Sequence, residues 1–293
     1  CLKTLAGHTS YVNSAVYSGD EKKILSTSTD QTIKEWDSRT GQCMKTLAGH
    51  TFIVNSVVYS ADGEKILSAS WDKNIKEWDA GTGECLKTLA GHLDAVNSAV
   101  YSPDGKKILT ASFDNTIKEW DAETGECIQT LPGYLSYFGS AVYSAGSKKI
   151  LSASDDETIK EWDAGTGECL KTLAGHTNGV SSAVYSADGE KILSASFDNT
   201  IKEWDAATGQ CLKTHKQKDN SKIPGYPPND TIIKLETEGN KIYLPDTIIK
   251  GKVRKLINIP GLFIQGCSFQ NLEEGSKWTE KGLAILKQYG GKF

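Results

Sequence analysis

The chain has 293 residues, 38% of them hydrophobic and 24% charged, with only 7 prolines and a formal net charge of −4. This is the composition of a folded globular protein, and it excludes a collagen-like or largely disordered chain. No apolar run reaches the ~18–20 residues of a membrane helix, so no membrane association is expected, and the mildly acidic balance gives no general reason to expect nucleic acid.

Self-similarity organises most of the sequence. Cys1, Cys43, Cys85, Cys127, Cys169 and Cys211 recur at a constant step of 42 residues. Five full copies span 1–42, 43–84, 85–126, 127–168 and 169–210, and a sixth begins at Cys211 and then dissolves. In chain order each copy predicts four short strands, with consensus CLKTL, VNSAVYS, KILSAS and TIKEWD. All are rich in the β-branched, aromatic and hydroxyl residues that suit strands. Turn chemistry separates them: A-G-H, A-D-G-E, an Asp-led turn and G-T-G-E. No copy holds the apolar period of a helix, so the repeats predict an all-β array.

Two dipeptides give the array its character. Gly7-His8, Gly49-His50, Gly91-His92 and Gly175-His176 form one set, and Trp36-Asp37, Trp78-Asp79, Trp120-Asp121, Trp162-Asp163 and Trp204-Asp205 form the other. On these motifs residues 1–216 resemble the WD-repeat family. The resemblance implies a β-propeller of four-stranded antiparallel blades, each copy opening with the outermost strand of the preceding blade. It also implies a hydrogen-bonded structural network in each blade. The matching residues are His8, Ser28, Asp30 and Trp36; His50, Ser70, Asp72 and Trp78; His92, Ser112, Asp114 and Trp120; and His176, Ser196, Asp198 and Trp204. The fourth copy places Tyr134 where the others have His, yet keeps Ser154, Asp156 and Trp162. A catalytic triad needs one activated nucleophile beside an oxyanion site. The same set repeated around a ring reads as structure, and no enzymatic activity is expected.

Residues 217–293 depart from the pattern. A polar, Pro-rich connection, KQKDNSKIPGYPPND, leads into strand-like stretches TIIKLET, KIYLP, TIIKG, VRKLINI and LFIQGCSF, and Thr279 to Tyr289 reads as a short helix. Residues 211–293 hold 14 Lys and Arg against 8 Asp and Glu, whereas residues 1–210 hold 19 against 29, so a basic tail follows an acidic repeat region. An open ring exposes sheet edges. The economical closure lets residues 1–5 become the outer strand of a last blade completed by the tail, giving six blades, with seven as the alternative.

The repeat cysteines read as small buried fillers. Their spacing keeps them too far apart for disulfides, which need Cα atoms within ~7 Å, and no paired Cys/His spacing suits zinc. Free thiols point to a reducing, intracellular compartment. No Gly-rich phosphate loop is present, and no cofactor or metal is expected.

The copies differ where a partner would bind. The loop after G-H varies freely, as Ser10-Tyr11, Phe52-Ile53, Asp94-Ala95, Ser136-Tyr137 and Asn178-Gly179. So does the turn before TIKEWD, as Thr29, Trp71, Phe113, Asp155 and Phe197. In a four-stranded meander both connections fall at one end of the blade. The expected partner face comprises Tyr11, Asn13, Ile53, Asn55, Trp71, Asn97, Phe113, Tyr137, Asp155 and Phe197, with Phe52 beside them, while Phe138 reads as core. Aromatic anchors on a rigid face suit protein recognition. The expectation is a non-catalytic scaffold for a protein or peptide. The alternative is the C-terminal sensor propeller of a larger STAND-type signalling ATPase, with further domains before residue 1, and an enzyme is a remote third.

Overall fold

The computed structural model describes residues 3–132 and 139–216, and the backbone alone of 236–238 and 241–243. The repeats form five four-stranded antiparallel sheets. The first is β1 (Val12–Tyr17), β2 (Lys23–Ser28), β3 (Thr32–Asp37) and β4 (Cys43–Ala48); the second is β5 (Val54–Tyr59), β6 (Lys65–Ser70), β7 (Asn74–Asp79) and β8 (Cys85–Ala90). The third is β9 (Val96–Tyr101), β10 (Lys107–Ser112), β11 (Thr116–Asp121) and β12 (Cys127–Pro132); the fourth is β13 (Ala141–Tyr143), β14 (Lys149–Ala153), β15 (Thr158–Asp163) and β16 (Cys169–Ala174). The fifth is β17 (Val180–Tyr185), β18 (Lys191–Ser196), β19 (Thr200–Asp205) and β20 (Cys211–Lys216). Each sheet is a sequential meander. The opening Cys of a copy pairs with the Trp of the copy before it, as Cys43 does with Trp36.

A short hairpin, β21 (Glu236–Glu238) with β22 (Lys241–Tyr243), overlaps the strands expected at TIIKLET and KIYLP. The strands expected at TIIKG, VRKLINI and LFIQGCSF and the helix at 279–289 lie outside the described residues, as do Cys1, Tyr134, Tyr137, Phe138 and Cys267. Among the described residues there is no helix, and therefore none long and apolar enough to cross a membrane.

The core lies between successive sheets. Leu25, Ile33 and Leu47 of the first sheet pack against Val54, Val57, Ile66, Trp78 and Ala80 of the second, and this set recurs at every later boundary. Fully burying one such aliphatic side chain is worth about 1.5–3 kcal/mol, so no blade is stable alone and each boundary stabilises both neighbours.

A polar staple runs through the same boundaries. Glu35, fully buried, pairs with Lys23 at 3.1 Å and Lys45 at 3.6 Å, and it accepts a hydrogen bond from Tyr59 of the next sheet at 2.8 Å. Lys45 Nζ donates onward to Ala80 O at 2.6 Å and Gly81 O at 2.7 Å. Tyr101 to Glu77, Tyr143 to Glu119 and Tyr185 to Glu161 repeat the first contact at 2.7–2.8 Å.

The two ends of the array differ from its middle. Val12 is 56% and Tyr17 54% exposed, whereas Val54, Val96 and Val180, the counterparts of Val12, are fully buried and Tyr59, Tyr101 and Tyr185, the counterparts of Tyr17, are half-buried. Residues 3–5 form no strand, yet Lys3 Nζ donates to Ser38 O at 2.9 Å and also to Arg39 O, as Lys45 does one blade later. At the other end His215 replaces the buried leucine of that column and bonds Glu203 at 2.8 Å.

The cysteines are not buried fillers. Cys43, Cys85, Cys127, Cys169 and Cys211 are all exposed. Each opens the outermost strand of its sheet, where no further strand covers it, and its Sγ contacts only local groups such as Lys45 O for Cys43.

Candidate functional site

The geometry of each blade starts with its glycine. A Cβ on Gly7 would stand 3.1 Å from Trp36 Cη2, and 3.2–3.4 Å separates the same atoms at Gly49, Gly91 and Gly175. Only glycine lets the loop lie on the indole, and the next residue, His, then enters the blade. His8 Nδ1 lies 2.8 Å from Asp30 Oδ2, and His8 Nε2 lies 2.7 Å from Ser26 Oγ. A carboxylate only accepts, so Nδ1 carries the proton and Nε2 accepts from the serine. Trp36 Nε1 donates to the same Ser26 Oγ at 2.8 Å. Asp30 also takes the Thr9 N–H at 3.0 Å and the Thr32 hydroxyl at 2.6 Å, which ties the loop to the turn.

The hydroxyl that joins imidazole to indole is therefore Ser26, not Ser28. Its counterparts are Ser68, Thr110 and Ser194, and Ser152 bonds Trp162 alone. Ser28 ends its strand and accepts the Asp30 N–H at 3.0 Å, as Ser70, Ser112, Ser154 and Ser196 do for the Asp two residues on. The signal was a column that is always Ser or Thr, masked by the exchange to Thr110 in copy three.

Burial opposes ionisation of Asp72, but bonds from His50, the Thr51 N–H and the Asn74 N–H hold its carboxyl down at about 2. Burial likewise opposes the charge on Asp198, and Thr200, His176 and the Thr177 N–H bring it to about 2. Burial pushes His92 and His176 below the usual imidazole range despite Asp114 and Asp198. The Asp114–His92 and Asp198–His176 pairs thus carry net negative charge at neutral pH. In the fourth blade Asp156 lies exposed and meets Lys160 at 3.4 Å.

In the first, second, third and fifth blades the loop and the turn meet at one end. Thr29 N donates to Tyr11 O, Trp71 N to Ile53 O, Phe113 N to Ala95 O and Phe197 N to Gly179 O, all at 2.8–2.9 Å. This rim brings aromatics together across blades. Phe52 stacks on Trp71 with ring centroids 6.4 Å apart, and Trp71 meets Phe113 of the next blade at 5.6 Å. Leu93 (81%), Tyr11 (82%), Phe52 (49%) and Phe197 (44%) are exposed along it, with Ile53 half-buried. The Trp71 indole N–H is buried without a hydrogen-bond partner, a state that costs about 1–3 kcal/mol.

Asn13, Asn55 and Asn97 belong elsewhere. Asn13 Nδ2 donates to Val54 O at 2.9 Å, Asn55 to Asn97 O at 2.8 Å and Asn97 to Gly139 O at 3.0 Å. Half-buried on the first strands of adjoining sheets, they join blade to blade rather than stand on the rim. Asp155 sits at the rim against the next blade's loop, its Oδ1 2.6 Å from where a Gly179 Cβ would be.

The rim is acidic. Its loops and turns carry Asp30, Asp72, Asp94, Asp114, Asp155, Asp156, Glu157 and Asp198 among the described residues, against one cation, Lys73. Lys73 Nζ donates to Leu93 O at 2.9 Å. Lys34, Lys76, Lys118 and Lys202 of the third strands bond outer-strand threonines, as Lys34 does Thr46 at 2.9 Å, whereas Lys160 turns to the rim carboxylate Asp156 at 3.4 Å. No group of three or more His, Cys, Asp or Glu among the described residues is placed to hold a metal.

Four-stranded meanders packed face to face, four of the five tied by a His–Asp–Ser/Thr–Trp set, define a propeller-type repeat protein. The family model of the WD domain, G-beta repeat, matches residues 1–37, 41–79, 83–121, 125–163 and 167–205. The matches cover more than half of the chain, which belongs to the WD40-repeat family. Among curated proteins no match to it is found.

Proposed function

We propose that the chain is a non-catalytic platform that binds a protein or peptide through the rim formed by the G-H loops and the turns before the third strands. The observation that carries this reading is the Phe52–Trp71–Phe113 group, which spans two blades where the repeats diverge most. The repeated histidines and serines are consumed by bonds that hold the blades together, which leaves no unique polar set for chemistry among the described residues. The six-blade ring belongs to the same reading. In it residues 3–5, whose Lys3 reaches Ser38 O of the first blade, would become the outer strand of a last blade, and strands after residue 216 would supply the rest of that sheet.

A 12-residue peptide display library selected on the full chain tests the binding face. Loss of an interface aromatic commonly costs about 2 kcal/mol or more. Trp71→Ala or Phe113→Ala should therefore weaken selected peptides at least tenfold, while Glu84→Ala and Glu126→Ala leave them unchanged. Binding lost only through Glu84 or Glu126 would place the site at the other end.

A further inference from the structure

We infer that the segment this rim accepts is basic, with a large apolar side chain flanked by Lys or Arg; this rests on the rim being the binding face. The aromatic pair supplies the anchor site. Trp71 and Phe113 touch across the boundary between the second and third blades.

The charge around that anchor is predominantly negative. Asp94 lies in the loop held to the Phe113 turn by the Phe113 N to Ala95 O bond at 2.9 Å. It is exposed, its Oδ1 accepts only the Ala95 N–H at 2.8 Å, and it forms no ion pair among the described residues. Glu157 is exposed in the turn of the fourth blade, beside Asp156, which is paired with Lys160 at 3.4 Å. Asp72 and Asp114, in the same turns as Trp71 and Phe113, hold their charge beneath the surface beside histidines. The cation of these turns, Lys73, is held to Leu93 O and offsets one of these charges without reversing their sum. An apolar anchor here is therefore surrounded by negative potential, which favours a cationic partner and repels phosphate-bearing ones.

The full chain is offered a display library of 12-residue peptides with a central Phe and flanks randomised over Lys, Arg, Asp, Glu, Ser and Gly. The expected result is enrichment of Lys and Arg over Asp and Glu beside the Phe. Affinity of an enriched peptide should fall at least fivefold between 50 and 300 mM sodium chloride, because exposed charges are screened over such distances. It should fall about threefold in Asp94→Asn, which keeps the cap on Ala95, and at least tenfold in Trp71→Ala. Enriched peptides that need Trp71 but are acidic or uncharged would overturn the basic partner and leave the rim as the binding face. Peptides indifferent to Trp71 would overturn both. Self-association of the chain that Trp71→Ala abolishes would put a second copy on the rim and overturn the proposal, as would single-stranded DNA bound in a Trp71-dependent way.

Discussion

Tyr101 donates its hydroxyl to Glu77 Oε1 at 2.8 Å across the boundary between the second and third blades. Burial, then the Glu77 charge and the hydrogen bond to it, push the phenol far above its usual range, so the group acts as a fixed donor. Glu77 is 1% exposed, and its other partners are Lys65 at 3.2 Å and Lys87 at 3.7 Å. Tyr101→Phe removes the shortest bond to a buried carboxylate. The expected loss is about 1–3 kcal/mol, read by urea unfolding. Tyr17→Phe, at the exposed first sheet, should cost far less, and equal losses would contradict a cross-blade role.

Ser68 and Ser70 separate the two hydroxyl columns. Ser68 Oγ serves both His50 Nε2 and Trp78 Nε1 at 2.8 Å, whereas Ser70 Oγ serves the turn and Ile53 O. Ser68→Ala should shift the Trp78 indole N–H resonance and speed its exchange. Ser70→Ala should leave that resonance in place. The reverse pattern would return the network to the Ser70 column.

Acid should loosen the blades in two stages. His92 and His176 are held below their ordinary range by burial, so between the folded and unfolded values the unfolded chain binds more protons. Stability then rises with pH through that window and is complete above about pH 6.5. Asp72 and Asp198, at about 2 when folded, contribute stability that is present above the ordinary carboxylate value near 4 and is lost as pH falls toward 2. Melting temperature should fall from pH 7.5 to 5.5 and again below pH 4. A flat profile between 7.5 and 5 would refute the first stage.

Removing residues 1–6 deletes Lys3 and Leu5 from the first blade. Lys3 bridges to Ser38 O and Arg39 O, and Leu5 Cδ2 lies 3.3 Å from where a Gly41 Cβ would be. The shortened chain should melt at lower temperature and aggregate, since a blade edge is uncovered. Unchanged melting would show that these residues do not hold the array.

The fourth blade should open most readily. Its Asp156 lies exposed and Trp162 keeps only Ser152 as partner, while Ser147 takes φ 55 where Gly63 and Gly105 serve in the second and third blades. A non-glycine residue there costs on the order of 1 kcal/mol. Amide exchange over 149–163 should outpace that over 107–121, and equal rates would contradict it.

The strand pattern was legible because it is local. Alternation within VNSAVYS, KILSAS and TIKEWD and the turn residues between them fix where strands start and stop, and the 42-residue step makes every copy repeat the result. The variable rim was legible for the same reason, since a meander puts alternate connections at one end. What escaped was partnership across blades. Asn55 looks like a varying rim residue until the next sheet's Asn97 O stands 2.8 Å away, and Cys85 looks like core until no strand lies beyond it. Ser68 and Ser70 point to the same side of one strand, and only the placed ring of His50 distinguishes them. Sequence alone therefore determined the repeat, its strands and the family they belong to, because these depend on neighbours a few residues apart. Tertiary structure decided which groups are buried, which hydroxyl is shared and which aromatics touch, because these depend on packing across the strands of a blade, as for Ser68 and Trp78, and between successive sheets, as for Asn55 and Asn97, 42 residues apart.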